Sequence, residues 1–281
     1  MVDELIEQAA SRLGVTDLTS LRDGGQKVVR AGRRGDELVV LKVIEVRAPQ
    51  QQQVLERARR EVGLLGEVDD LRLVGLRSPI IGLGPDEHCP DGVAWLEERL
   101  DGHDLDELFG SAWSGDDVTD LLVGLSEALQ ILHGRAVVHR DLSPGNVRRR
   151  SSGVWTLMDP GYAKHLAASS ITGIYQPGTR GFRSPEHLPG ATPDTYSDVY
   201  AVGILAYIAA TTYFPVDHRG SEDEYYERLR DSAVVPVSHH RPDLPAEISL
   251  IIDTCLHRQP ARRYLDATEL LAALTAAAVR P

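Results

Sequence analysis

The chain has 281 residues, with 30 Lys plus Arg against 42 Asp plus Glu, a formal charge of −12 and a pI near 5.3. That length suffices for one large domain or two lobes. The acidic balance argues against nucleic acid or an anionic membrane as the main partner, so any anionic ligand has to be held by local features. Only three of the basic residues are lysine: Lys27, Lys42 and Lys164. Where arginine serves almost everywhere, a position that keeps lysine draws attention. Two cysteines, Cys89 and Cys255, stand far apart without CxxC spacing. This excludes a disulfide framework and a Cys-rich zinc site, and fits a reducing, cytoplasmic setting. The acidic, amphipathic N-terminus does not read as a signal peptide.

In chain order, residues 2–13 (VDELIEQAASRL) have helical spacing and stop at Gly14. Short apolar runs split by Gly pairs follow to about residue 45, the last of them, ELVVLKVIEV, β-branched and strand-like. Residues 51–66 return to helical spacing, and strands are expected near 71–81 and 92–98. Beyond about residue 101 the pattern is mainly helical, at 116–134, 194–213, 221–231, 246–258 and 266–279, interrupted by a Gly-, Pro-, Ser- and Arg-rich stretch at 135–184. Val199 to Val216 carries no formal charge, but acidic flanks and Pro215 favour a buried core helix over a membrane span. The expectation is an α+β protein: an N-terminal helical extension over 1–14, a β-rich lobe over 15–98 and a helical lobe over 99–281. A junction of two such lobes is where a ligand is expected.

The sharpest signal is His139-Arg140-Asp141-Leu142-Ser143-Pro144-Gly145-Asn146, followed by Asp159-Pro160-Gly161. H-R-D-x-x-x-x-N and then D-x-G resembles the catalytic and metal-binding segments of protein kinases. The spacing has a chemical reason. Phosphoryl transfer needs a carboxylate to orient the acceptor hydroxyl and take its proton, a role the resemblance gives to Asp141. It also needs oxygen ligands for Mg²⁺, which Asn146 and Asp159 would supply. Lys42 in VVLKVI resembles the phosphate-binding lysine of the third strand, with Glu61 on the following helix as its partner and Glu56 as the fallback.

Further segments extend the resemblance. Gly178-Thr179-Arg180-Gly181-Phe182-Arg183-Ser184-Pro185-Glu186 resembles the end of an activation segment, with Arg263 as the expected partner of Glu186. Ser197-Asp198 resembles the start of the buried central helix, whose Asp steadies the catalytic loop. By the same analogy the backbone of Glu98 and Leu100 would bind adenine, Asp104 would reach the ribose, and Glu97 takes a slot where an apolar residue is commoner. The nucleotide-covering loop reads Arg22-Asp23-Gly24-Gly25-Gln26-Lys27-Val28-Val29, keeping one of the three family glycines and adding Gly25. Gly24, Gly25, Lys27 and Val29 are its candidate contacts, Lys27 supplying charge where fewer backbone N–H groups can close over phosphate.

Ser143 stands where serine/threonine kinases usually have Lys, and Pro160 replaces the Phe of D-F-G. The resemblance implies a two-lobed protein-kinase-like fold and an ATP- and Mg²⁺-dependent enzyme acting on protein Ser/Thr hydroxyls. Arg140 before the base implies control by phosphorylation, with Ser169, Ser170 and Thr172 as candidate sites. Two alternatives stay open: a nucleotide-binding pseudokinase acting as scaffold or regulator, and a small-molecule phosphotransferase, against which the Ser184-Pro185-Glu186 segment argues.

Overall fold

The computed structural model describes residues 2–21, 27–46, 51–85, 90–160, 164–165, 179–187 and 192–278. The chain divides into two compact units, Met1–Asp101 and Gly102–Pro281.

The first unit is built on an antiparallel sheet. Helix α1 (Val2–Leu13) ends where Gly14 takes φ +68° and the Val15 N–H returns to the Ala10 carbonyl at 2.9 Å. Strands β1 (Thr16–Ser20), β2 (Lys27–Arg34) and β3 (Glu37–Glu45) follow, then helix α2 (Gln51–Gly66), β4 (Ile81–Leu83) and β5 (Gly92–Glu98). The sheet order is β1-β2-β3-β5-β4. Alternation along β3 and β5 divides two apolar layers, as the period of two requires. Val39, Leu41, Val43, Ala94 and Leu96 pack with Leu5, Ile6, Ala9 and Ala10 of α1. Ile44, Val93 and Trp95 pack with Ala58 and Val62 of α2. The residues expected only as an extension thus supply a layer of the core.

The strand expected over 71–81 forms only from Ile81. Upstream of it the pairing is by isolated bridges, as from Leu76 to Glu97. Pro79 lacks an N–H, so a regular ladder cannot run through it. The segment borrows instead: Arg77 N–H donates to the Leu96 carbonyl at 2.7 Å, and the Ser78 hydroxyl accepts from the Leu96 N–H at 2.8 Å.

The second unit opens with β6 (His103–Asp104) and the short helix α3 (Leu105–Leu108). Helix α4 (Gly115–His133) is capped by the Ser114 hydroxyl, which accepts from the Asp117 N–H. Strands β7 (Val137–Val138), β8 (Val147–Arg149), β9 (Trp155–Leu157) and β10 (Lys164–His165) form two small sheets, β6-β8-β9 and β7-β10. Helix α5 (Thr195–Thr211) is closed at its start by a capping box of Asp194 and Ser197. Every residue from Ser197 to Thr211 is buried, as a helix that is apolar all round requires. Helices α6 (Glu222–Asp231), α7 (Val237–His240), α8 (Ala246–Cys255) and α9 (Ala267–Ala278) complete the unit, with α4, α8 and α9 packed on α5. Among the described residues no helix is long and apolar enough to cross a membrane.

The run Arg148-Arg149-Arg150 lies along the β8–β9 hairpin. Arg148 pairs with Asp104 at 3.0 Å, Arg149 pairs with Asp120 at 3.1 Å, and Arg150 Nε donates to the Thr156 hydroxyl. The hairpin is pinned to α4 by Trp155, whose Nε1 donates to Asp120 at 2.9 Å and whose ring lies against Gly124. A methyl at Gly124 would stand 2.8 Å from the ring's Cγ. Gly124→Ala should therefore destabilise by about 1–3 kcal/mol through overpacking, outweighing the ~1 kcal/mol that Ala gains over Gly within a helix. Urea unfolding of the two proteins measures the difference.

Candidate active site

Each unit gathers part of the polar chemistry that the sequence singled out. In the first, the register places Val29 opposite Lys42 on β2 and β3, and Lys42 opposite Trp95 on β3 and β5. Directly paired residues share a face, and so do residues two apart. Lys27, Val29, Lys42, Trp95 and Glu97 therefore line one side of the sheet, which α2 covers with Glu61.

The side chains meet as a cluster of four charges. Lys27 Nζ donates to both Glu61 oxygens, at 2.9 and 2.7 Å. Lys42 Nζ lies 3.3 Å from Glu61 Oε1 and 2.8 Å from Glu97 Oε1. Trp95 Nε1 donates to the same Glu97 oxygen at 2.8 Å, and its ring lies 5.7 Å from the Lys27 ammonium and 5.9 Å from that of Lys42. Glu61 is thus the carboxylate at Lys42, as expected, but it is shared with Lys27. Glu97 and Trp95 had not been assigned to Lys42 from sequence. The signal that could have found them is a carboxylate in a largely apolar strand beside another strand holding one of only three lysines.

Glu98 follows at the end of β5, its N–H donating to the Gly75 carbonyl and its carboxylate held by Arg77 at 3.1 Å. Leu100 is buried just beyond it. Glu56 stays on the outer part of α2, paired with Arg60 at 3.3 Å. Gly24 and Gly25 lie outside the described residues.

In the second unit the 139–146 loop is anchored from beneath by Asp198. Its carboxylate is fully buried and accepts from the His139 N–H at 2.7 Å and the Arg140 N–H at 2.9 Å, while His133 Nε2 lies at 3.1 Å. Burial by itself would raise the Asp198 pKa. The His133 hydrogen bond, the neighbouring imidazoles of His133 and His139 and the Arg140 N–H outweigh it and hold the carboxyl below its usual range. This anchoring keeps Arg140 at φ +71°, a backbone region uncommon outside glycine, which places Asp141 beyond the turn. Burial depresses the pKa of Arg140, against the charges of Asp198 and Asp194, and its Nε has no hydrogen-bond partner among the described residues.

Asp141 is half-buried, and Asn146 braces it, its amide donating to the Asp141 carbonyl at 2.7 Å and facing Oδ2 at 3.4 Å. The other carboxylate oxygen accepts from the Thr179 N–H at 2.8 Å and hydroxyl at 2.9 Å. Burial raises the Asp141 pKa and the charge of Asp159 adds to it, against the Thr179 bonds and His139. Asp159 is half-buried at φ +54°, one residue beyond Met158, which accepts from His139 Nε2 at 3.2 Å through its carbonyl and donates its N–H to Asn146. Two oxygen donors, an amide that spends its N–H₂ on Asp141 and a carboxylate, suit a hard cation that draws further ligands from phosphate. Asp104, the expected ribose contact, lies on β6 opposite Arg148 of β8 and pairs with it. Glu186 pairs with buried Arg263 at 2.7 Å, and the guanidinium also lies 4.6 Å from the Tyr200 ring.

The Protein kinase domain profile matches residues 20–273. The chain belongs to the protein kinase domain family. Among curated relatives, this kinase domain is 31% identical over 264 residues to the serine/threonine-protein kinase PknL of Mycobacterium tuberculosis, covering 92% of this chain and 64% of PknL. It is 24% identical over 240 residues to a protein named "Probable serine/threonine-protein kinase PknB" from Lactococcus lactis, covering 84% of this chain and 37% of that protein. The kinase domain therefore spans under two thirds of the length of the relatives it matches.

Asp198→Asn leaves one oxygen for a site built around two, so we expect a loss of roughly 3 kcal/mol at neutral pH. The sign with pH follows from a folded pKa below the unfolded value. The stabilisation is complete above about pH 4 and is lost as the pH falls through the folded value. The stability gap between wild type and Asp198→Asn should accordingly shrink in acid, which urea melts at stepped pH will show.

Proposed function

We propose that this domain is an ATP-dependent protein kinase that transfers the γ-phosphoryl group to Ser or Thr hydroxyls of proteins, its own among them. The observation that carries this reading is the setting of Asp141. Its carboxylate is braced by Asn146, its pKa is raised, and it receives an aliphatic hydroxyl from Thr179 at 2.9 Å. A substrate hydroxyl is the same chemical group, and a raised pKa makes the carboxylate a better proton acceptor. The names of the relatives support the serine/threonine class.

In this mechanism Asp141 orients the acceptor hydroxyl and takes its proton as the oxygen attacks the γ-phosphorus, while the bond from that phosphorus to the β–γ bridging oxygen breaks and ADP leaves with the oxygen. Lys42, held between Glu61 and Glu97, contacts the α- and β-phosphates, and Val29 and the backbone of Glu98 and Leu100 receive the base. Asn146 and Asp159 would hold Mg²⁺, which when bound neutralises charge on the phosphates. Arg140 is the proposed receiver of a phosphate at Ser169, Ser170 or Thr172, three positions outside the described residues.

One observation favours a second reading, a nucleotide-binding regulator without turnover. Lys42 lies nearer to Glu97, at 2.8 Å, than to Glu61, at 3.3 Å, so part of its charge is already answered before phosphate arrives. Labelled ATP with generic protein substrates separates the two, comparing wild type with Asp141→Ala and Lys42→Met. Transfer should fall at least about a hundredfold in Asp141→Ala, the lower end for loss of a general base. Equal signal from all three proteins would discard the enzyme reading, and nucleotide-induced thermal stabilisation without transfer would favour the regulator. Mass spectrometry after incubation with Mg-ATP should find phosphate between residues 162 and 180, and its absence there removes the proposed role of Arg140.

A further inference from the structure

Two of the three lysines in this protein meet on a single buried carboxylate. A lone lysine–glutamate pair would be electrically complete. Among the described residues this cluster holds two of each: Glu61 takes Lys27 through both oxygens, at 2.7 and 2.9 Å, and Glu97 takes Lys42 at 2.8 Å. Buried charges are tolerated in matched numbers, so a second lysine at this depth calls for a second carboxylate. Glu97 meets that need from a strand position whose neighbours Ala94, Trp95 and Leu96 are buried and uncharged.

The cluster is also graded in depth. The side chains of Glu61 and Glu97 are 1% and 3% exposed, those of Lys42 and Lys27 are 7% and 14% exposed. Lys42 is buried with both carboxylates, and Lys27 is the one member with appreciable exposure, on the strand that leads out of the nucleotide-covering loop. Trp95 completes the cluster, with its indole N–H spent on Glu97 and its ring within cation–π range of both ammoniums. In sequence Lys27 directly follows residues 22–26, which keep one of the three family glycines and so offer fewer positions for close backbone approach to phosphate.

We propose that Lys27 is a second phosphate-binding cation: Glu61 anchors Lys27, Glu97 anchors Lys42, and the two ammoniums together hold the polyphosphate of a nucleoside triphosphate. The inference rests on the nucleotide-binding part of the function proposed above. It makes a charged side chain do what backbone N–H groups would otherwise do, and it explains a carboxylate at position 97 as the counter-ion that this second lysine needs.

Calorimetric titration of Mg-ATP and of adenosine, which lacks phosphate, into wild type, Lys27→Met, Lys27→Arg and Lys42→Met tests it. Lys27→Met should weaken ATP about tenfold or more while leaving adenosine within about twofold, and Lys27→Arg should keep most of the ATP affinity. A fourth variant, Lys27→Met/Glu97→Met, removes one charge of each sign, leaves the matched Lys42–Glu61 pair and guards against misfolding of the single variant. It too should bind ATP about tenfold more weakly than wild type. If Lys42→Met weakens ATP while Lys27→Met and the double variant match wild type, Lys27 merely clamps Glu61, and the inference falls with the nucleotide reading intact. Equal weakening of ATP and adenosine by Lys27→Met would likewise overturn it, as a general loss of the site. A wild-type protein that binds adenosine and ATP equally well, or neither, sinks the nucleotide reading and this inference together.

Discussion

A charge taken out of water has to be answered where it sits, and in each unit of this kinase domain the polar chemistry is organised by that requirement. In the second unit one carboxylate does most of the work. Asp198 replaces water for two successive backbone N–H groups and one imidazole, and so holds the 139–141 backbone in a turn it would not adopt unaided. The position of Asp141, its brace from Asn146 and the placement of Asp159 beyond Met158 all follow from where that turn is fixed. Helix α5, buried on every side, carries Asp198 in its first turn.

The first unit solves the same problem with side chains rather than backbone. Four charged groups from β2, β3, α2 and β5 neutralise one another beneath a tryptophan ring. Such a cluster adds little net stability over an apolar core of the same volume, yet losing one member costs about 3–5 kcal/mol. Its members differ in depth: Lys42, Glu61 and Glu97 are buried and Lys27 is partly exposed. Helix α1 and helix α2 cover opposite faces of the sheet, so the apolar packing that supports the cluster is continuous with a second layer on the far side.

Contiguous signals were legible without the fold. The 139–146 run and Asp159 can be read because catalysis there draws on neighbours in the chain, and spacing alone carries the geometry. Lys42 is legible from its strand, Glu61 from the helix that follows, and the Glu186–Arg263 pair from the resemblance. The strand expected over 71–81 failed because Pro79 and a serine hydroxyl replace the ladder that the apolar pattern suggested. Lys27 reads in the sequence as charge on a loop, yet its ammonium is bound to Glu61 thirty-four positions away.

The sequence by itself determined the α+β class, the family, and which residues carry oxygen donors and cations, since each of these is written in local spacing and residue type. Only the tertiary structure decided how the charges are shared. Whether Glu97 meets Lys42, and whether Lys27 or Lys42 holds Glu61 more closely, depends on the registers β2–β3 and β3–β5 and on how α2 lies across them. A shift of one residue in either register would turn the affected side chains to the opposite face of the sheet. Local sequence sets no such register. The lysine scarcity thus becomes a structural fact, with Lys42 and Lys27 brought to one carboxylate.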